Sequence, residues 1–372
     1  MFDRTIRRRP ACWQNCRIVW WPVVALVAAA APLLAADATP RQLMDNGHYR
    51  RARAALEARL QSAPDDSAAL CLMSQVKLLS GEREAAMQLA ERAVKVDGKN
   101  PLTHLQLVKV LADAVDRAGG LHQIKLGHQL KSEIDITLSL DPVNVDALKF
   151  QELIYRNAPA FFGGDKNKAR QLTEKITQID PVQGYFLQAQ IAGNQKQNGQ
   201  VEELYRKAVE AKPDSYLARI RLAYYCLRGS KKLSDAETQA REALRLNADR
   251  IDAYDVLAAV LASQKKWEDL DATLAKAQTV VPDNLRPYFS AGAQLVTEGV
   301  ELPRAERYFR KYLSQEPELA APSHAVAHWR LGQALEKEGR AGEAVSEFQT
   351  ALKQDPASPA KHDLERLQPR KS

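Results

Sequence analysis

Only two of the chain's four cysteines, Cys71 and Cys226, lie beyond residue 17, and no C-x-x-C pair occurs. That excludes a disulfide framework and the thiolate spacings of structural zinc or dithiol redox chemistry. Aromatic residues make up only 6% of the chain, as in a helical array with a core of alanine and leucine. A surplus of one charge is also missing. The net charge is +7, but residues 1–36 carry five arginines and one acid, leaving 48 basic against 45 acidic residues and +3 beyond them. So small an excess gives no electrostatic case for nucleic acid. No G-x-S-x-G elbow is present. His324 and His328 stand one helical turn apart, but Ala325 occupies the place of a zinc protease's glutamate. Neither a metal, a cofactor nor an enzymatic activity is expected.

The first 38 residues differ from the rest. Arg4, Arg7, Arg8, Arg9 and Arg17 precede an apolar run from Ile18 to Ala36, and Ala36-Asp37-Ala38 has the A-x-A form of a cleavage site. This is the three-part pattern of a secretory signal. The run is also near the length that spans a bilayer, so an uncleaved inner-membrane anchor is the alternative. Either way the remainder is expected outside the cytoplasm, in the periplasm or secreted. The domain reading is 1–38 signal or anchor, 39–368 helical array, and 369–372 a disordered tail.

What the chain does have is a period. Marking each unit by its closing residue gives Pro64, Gly98, Pro142, Pro181, Pro213, Ala248, Pro282, Pro317 and Pro356, with steps between 32 and 44 residues and a cluster at 34–35. Within a unit, large and small apolar residues alternate at helical spacing on two stretches separated by a turn. The last full unit reads Trp329, Leu331, Gly332 and Leu335, a turn at Gly339, then Ala344, Phe348, Ala351 and Pro356. The sixth reads Tyr254, Leu257, Ala258 and Leu261, then Trp267, Leu270, Leu274, Ala277 and Pro282. Small residues suit close helix crossings, and the closing proline cannot continue a helix. These units resemble the tetratricopeptide repeat family over roughly residues 41–367. The resemblance implies an all-α, right-handed superhelical solenoid of about eight to nine helix pairs. Ala360–Leu367 would form a polar capping helix.

Two insertions interrupt the period. Ala118–Gln123 reads as a glycine turn inside a lengthened helix pair. Ala158–Ala169 contains Pro159, the apolar pair Phe161 and Phe162, and Gly163-Gly164, with Asp165 placed to cap a helix from Lys166. The two phenylalanines either pack over the helix pair or offer an insertion contact. This turn is similar to one in tetratricopeptide components of periplasmic solute transporters, which implies an alternative role as an accessory or ligand-binding part of such a system.

In the family the first helix of each pair lines the concave side. Projecting the helical period gives Lys149, Leu153 and Arg156; Ile220, Tyr224 and Arg228; Asp252, Asp255 and Ala259; Arg286, Phe289 and Ala293; and Trp329, Gln333 and Lys337. The protein-binding candidates are Lys149, Arg156, Tyr224, Arg228, Asp255, Arg286, Phe289 and Trp329, with guanidinium and aromatic groups prominent among them. The family's chaperone-tail clamp is incomplete. Lys149 is followed one turn on by Leu153 in place of asparagine, and Arg221 is preceded by Leu217 in place of lysine. The expected function is therefore a non-catalytic exported scaffold that binds a protein or peptide of the cell envelope. Contact with a membrane is expected only through an uncleaved N-terminal segment.

Overall fold

The computed structural model describes residues 38–367. The signal or anchor reading and the C-terminal tail fall on positions outside them. Nine helix pairs follow one another: α1 (Pro40–Asn46) with α2 (Tyr49–Ser62), α3 (Ser67–Leu79) with α4 (Arg83–Val96), and α5 (Pro101–Arg117) with α6 (Gly120–Leu140). Next come α7 (Val145–Asn157) with α8 (Lys166–Ile179), α9 (Pro181–Asn194) with α10 (Asn198–Ala211), and α11 (Tyr216–Arg228) with α12 (Leu233–Leu246). The last pairs are α13 (Ile251–Ser263) with α14 (Trp267–Val280), α15 (Arg286–Glu298) with α16 (Leu302–Leu313), and α17 (His324–Lys337) with α18 (Ala341–Gln354). The capping helix α19 spans Ala360–Leu367. No strand occurs among the described residues. The chain is an all-α helical solenoid.

Local chemistry explains where the helices begin. Asp66, Asn100, Asn144, Asp180, Ser215 and Ser323 each turn a side-chain oxygen onto an amide of the first turn of α3, α5, α7, α9, α11 and α17. At α13 the previous repeat supplies the cap, since the Ala253 amide donates to the Tyr216 hydroxyl at 3.0 Å. The short step from Pro181 to Pro213 also has a cause. Pro181 opens α9 instead of closing a loop, and Asp180 alone joins α8 to α9.

Small residues allow the helices to approach. Ala86, Ala90, Ala93, Ala236, Ala240, Ala243, Ala344 and Ala351 are fully buried on the second helices. From Tyr216 to Ala360 most buried side chains form one continuous cluster, beside a small group of Ile251, Tyr254, Ala277 and Val281. Across α7–α10 they divide into three smaller groups around Leu148, Val182 and Ala189.

A solenoid's helices are expected to touch only neighbouring repeats, and here one contact breaks that rule. The α1–α2 hairpin meets the connections that follow the sixth, seventh and eighth pairs. His48 Nδ1 lies 3.0 Å from both oxygens of Asp283. The Arg50 amide donates to Glu318 Oε2 at 3.2 Å, and the Asn247 side-chain amide donates to Asn46 Oδ1 at 3.3 Å. Leu319 packs against the α1–α3 core. His48 and Glu318 are 5% and 3% exposed, so both polar groups depend on this contact for their partners.

Candidate protein-binding face

Successive first helices touch one another directly: α3 with α5, α5 with α7, α11 with α13, α13 with α15, and α15 with α17. Their shared face carries the groove candidates, and most of these are tied into cross-links about one repeat long. Lys149 donates to Gln183 at 3.1 Å and pairs with Asp146 at 3.5 Å. Arg156 forms a two-pronged pair with buried Glu152 at 2.9 and 3.3 Å. The Trp329 indole donates to Asp363 on α19 at 2.7 Å, and Gln333 donates to the same oxygen at 3.0 Å.

The densest cross-link joins α11, α13 and α15. The Tyr224 and Ser290 hydroxyls each donate to Asp255 at 2.5 Å. Arg286 reaches Asp252 at 2.8 Å, Asp255 at 3.2 Å and the Tyr224 hydroxyl at 3.3 Å. Burial, followed by the Asp255 charge, pushes the Tyr224 hydroxyl far above the usual phenol range, so it stays a donor. Asp255 is only 5% exposed, and Phe289, at 9%, belongs to the core with its ring against Phe309 and Tyr312. Neither presents itself to solvent as a groove surface residue would. The apolar spacing placed them on the first-helix face, but neighbouring repeats cover that face at these positions. Arg228 is exposed.

The α1–α2 turn closes over one end of this cross-link. Tyr49, Arg250, Asp252, Asn284, Arg286 and Glu318 wall a cavity of about 50 Å³. Burial raises the Glu318 carboxyl above its ordinary range, with the Arg50 amide and charge opposing.

At the second insertion Asp165 caps α8, accepting from the Asn167 and Lys168 amides at 3.0 and 3.1 Å. Gly163 takes the left-handed conformation at φ 91°, and a Cβ on Gly164 would strike the Ala158 carbonyl. Phe162 is half-buried with its ring 5.6 Å from that of His128, while the Phe161 side chain lies outside the described part of the structure. The first insertion adds turns to α5 and α6 and leaves only Ala118 and Gly119 between them. Ser323 caps α17, His328 pairs with Glu347 at 2.6 Å, and His324 meets the Gln315 carbonyl at 2.9 Å, so the two histidines have separate partners.

Sequence spacing gave no sign of one cluster. Atoms of Glu202, Cys226 and Asp235 lie within 4.8 Å of one another. Arg206 already bridges the two carboxylates at 2.8 and 2.5 Å, and Lys232 sits 2.7 Å from Glu202. Protein cations take the place a metal would occupy, and burial pushes the Cys226 thiol up.

Three tetratricopeptide repeat models match the chain, at residues 43–110, 182–215 and 301–359. The chain is a tetratricopeptide repeat protein. This repeat protein is thus built as a protein-interaction scaffold, and repeats of the family are typically non-catalytic. Among solved structures it is similar to PilW, described as a widely conserved type IV pilus biogenesis factor, at 18% identity and a TM-score of 0.43, covering 60% of this chain and 97% of that one. It is also similar to PilF of Pseudomonas aeruginosa at 16% identity and a TM-score of 0.40, covering 61% and 99%. The Cut9–Hcn1 assembly of the APC/C matches at 13% identity and a TM-score of 0.45, covering 86% of this chain and 59% of that one. No curated protein matches the chain significantly.

Proposed function

We propose that this repeat protein is an exported scaffold that holds a protein or peptide of the cell envelope against the face shared by its first helices. The reading rests on one observation. That face is braced from repeat to repeat by Lys149, Tyr224, Asp255, Arg286 and Trp329, which presents a rigid surface whose ordering cost is met before a partner arrives. The cationic, apolar, small-residue start of the chain supports export. The alternative role in a solute transporter is not favoured by the Gly163-Gly164 turn, where Asp165 itself takes the helix amides a ligand anion would need.

The test is photo-crosslinking in cells. A crosslinker at Leu153 or Lys149 should capture a discrete envelope protein, and one at the exposed Glu203 on second helix α10 should not. Equal capture at all three positions, or none at the first two, would defeat the proposal.

A further inference from the structure

We infer that α11 carries a recognition site for the side-chain carboxylates of an extended acidic peptide, held by Arg221 and Arg228. The inference rests on the scaffold reading and names what that face takes. Of the four arginines on the first-helix faces of α7, α11 and α15, Arg156 is neutralised by Glu152 and Arg286 by Asp252 and Asp255. Arg221 and Arg228 are exposed, and among the described residues no carboxylate lies within ion-pairing distance of either. Each guanidinium lies over a ring instead, Arg221 over Phe186 and Arg228 over Tyr224, both at 5.9 Å from the centroid. A ring contact orients the planar group and leaves its in-plane N–H donors free, the arrangement that suits two-pronged capture of a carboxylate. Asp252 and Asp255, the acids next along this face, are taken up by Arg286 and Tyr224, so the free charge beside Arg221 and Arg228 is positive.

Spacing selects the partner's conformation. Arg221 and Arg228 are two helical turns apart, which a rise of about 1.5 Å per residue turns into roughly 10 Å. An extended polyproline II segment brings every third side chain to one side at intervals of about 9 Å. Two acids three residues apart would therefore meet the two guanidinium groups together. Gln190 is exposed on α9, one turn beyond Phe186 on the same helix face, and can meet the peptide backbone. The Lys and Asn partners needed to grip a chain-terminal carboxylate are absent beside Arg221, so side-chain carboxylates are the ligands.

Fluorescence anisotropy on the full chain tests this with a short fluorescein-labelled proline-rich peptide bearing glutamate at every third position. Its glutamine twin and its C-terminally amidated form are the comparisons. The glutamate peptide should bind, weaken as salt rises, and be indifferent to amidation; the glutamine twin should bind at least about tenfold more weakly. Arg221→Gln and Arg228→Gln should each cost about tenfold. Arg219→Gln, which removes the same charge from a residue bonded to the Pro213 carbonyl and Gln239, should cost little. All three side chains are partly or fully exposed, and a thermal melt confirms folding. Equal binding of the glutamine twin, dependence on the free terminus, or a loss no greater than in Arg219→Gln would overturn the assignment. Tighter binding of a helical acidic peptide would do the same. An envelope partner still crosslinked in the Arg221→Gln/Arg228→Gln double variant would keep the scaffold and sink this site.

Discussion

Removing the Asp283 carboxylate should unlock the α1–α2 hairpin. In Asp283→Ala the His48 ring, 5% exposed, loses both of its 3.0 Å contacts. A buried polar group stripped of its partner costs about 1–3 kcal/mol. A long repeat array does not unfold as one two-state unit, so the cost is best read locally by native-state hydrogen exchange. Amides of Tyr49–Ser62 should exchange about 10–100-fold faster, while those of Ala344–Gln354 stay unchanged. His48→Ala should give most of the same effect, and the double variant should add little, leaving a coupling of about 1–2 kcal/mol. Asp65→Ala, which breaks the exposed Arg92–Asp65 pair, is the control and should change exchange little. Unaltered protection of α2 in Asp283→Ala, or full additivity with His48→Ala, would show that the long-range contact does not hold the hairpin. The pH dependence has a definite sign. Burial works to raise the Asp283 pKa, but the hydrogen bond and charge of His48 outweigh it and hold the carboxylate below its ordinary value. Its contribution is therefore present above the unfolded aspartate pKa of about 3.9 and is lost as pH falls through the lower folded value.

Other expectations concern single positions. Glu318 shows the opposite sign: its folded pKa is raised, so stability falls as pH rises from the unfolded glutamate value of about 4.3 through the raised one, and Glu318→Gln should flatten that slope in chemical denaturation. A Cβ on Gly332 would lie 2.5 Å from Phe348 Cε1; Gly332→Ala should lose about 1–3 kcal/mol by overpacking, seen as a lower melting temperature with native circular dichroism. Burial pushes the Cys71 thiol up to about 11, so iodoacetamide at pH 8 should modify it far more slowly in the native than in the urea-unfolded chain. Tyr224→Phe should destabilise by about 1–2 kcal/mol, because it strips a 2.5 Å hydrogen bond from buried Asp255.

The helix pairs were legible because their signals are local. Alanines at crossing points, glycine in the turns and proline between units each act within a few residues. Asp165 could be recognised as a cap for the same reason. The state of the candidate face was less legible. Helical periodicity placed Asp255, Arg286 and Phe289 on the first-helix side, but whether such a side chain faces solvent depends on how closely the next repeat approaches. That distance is set by packing between helices about 34 positions apart. The pairing of His48 with Asp283 was further out of reach. It depends on small rotations summed over six intervening repeats, and no residue near either partner encodes the total.

The His48–Asp283 and Arg50–Glu318 contacts also restrict how this gene can change length. Stacked hairpins ordinarily tolerate gaining or losing one unit, because each new copy finds the same surface its predecessor offered. Here, deleting or duplicating any hairpin between α3 and α12 would swing the chain's start away from residues 283 and 318 and strand two buried polar groups. The protein must count its repeats.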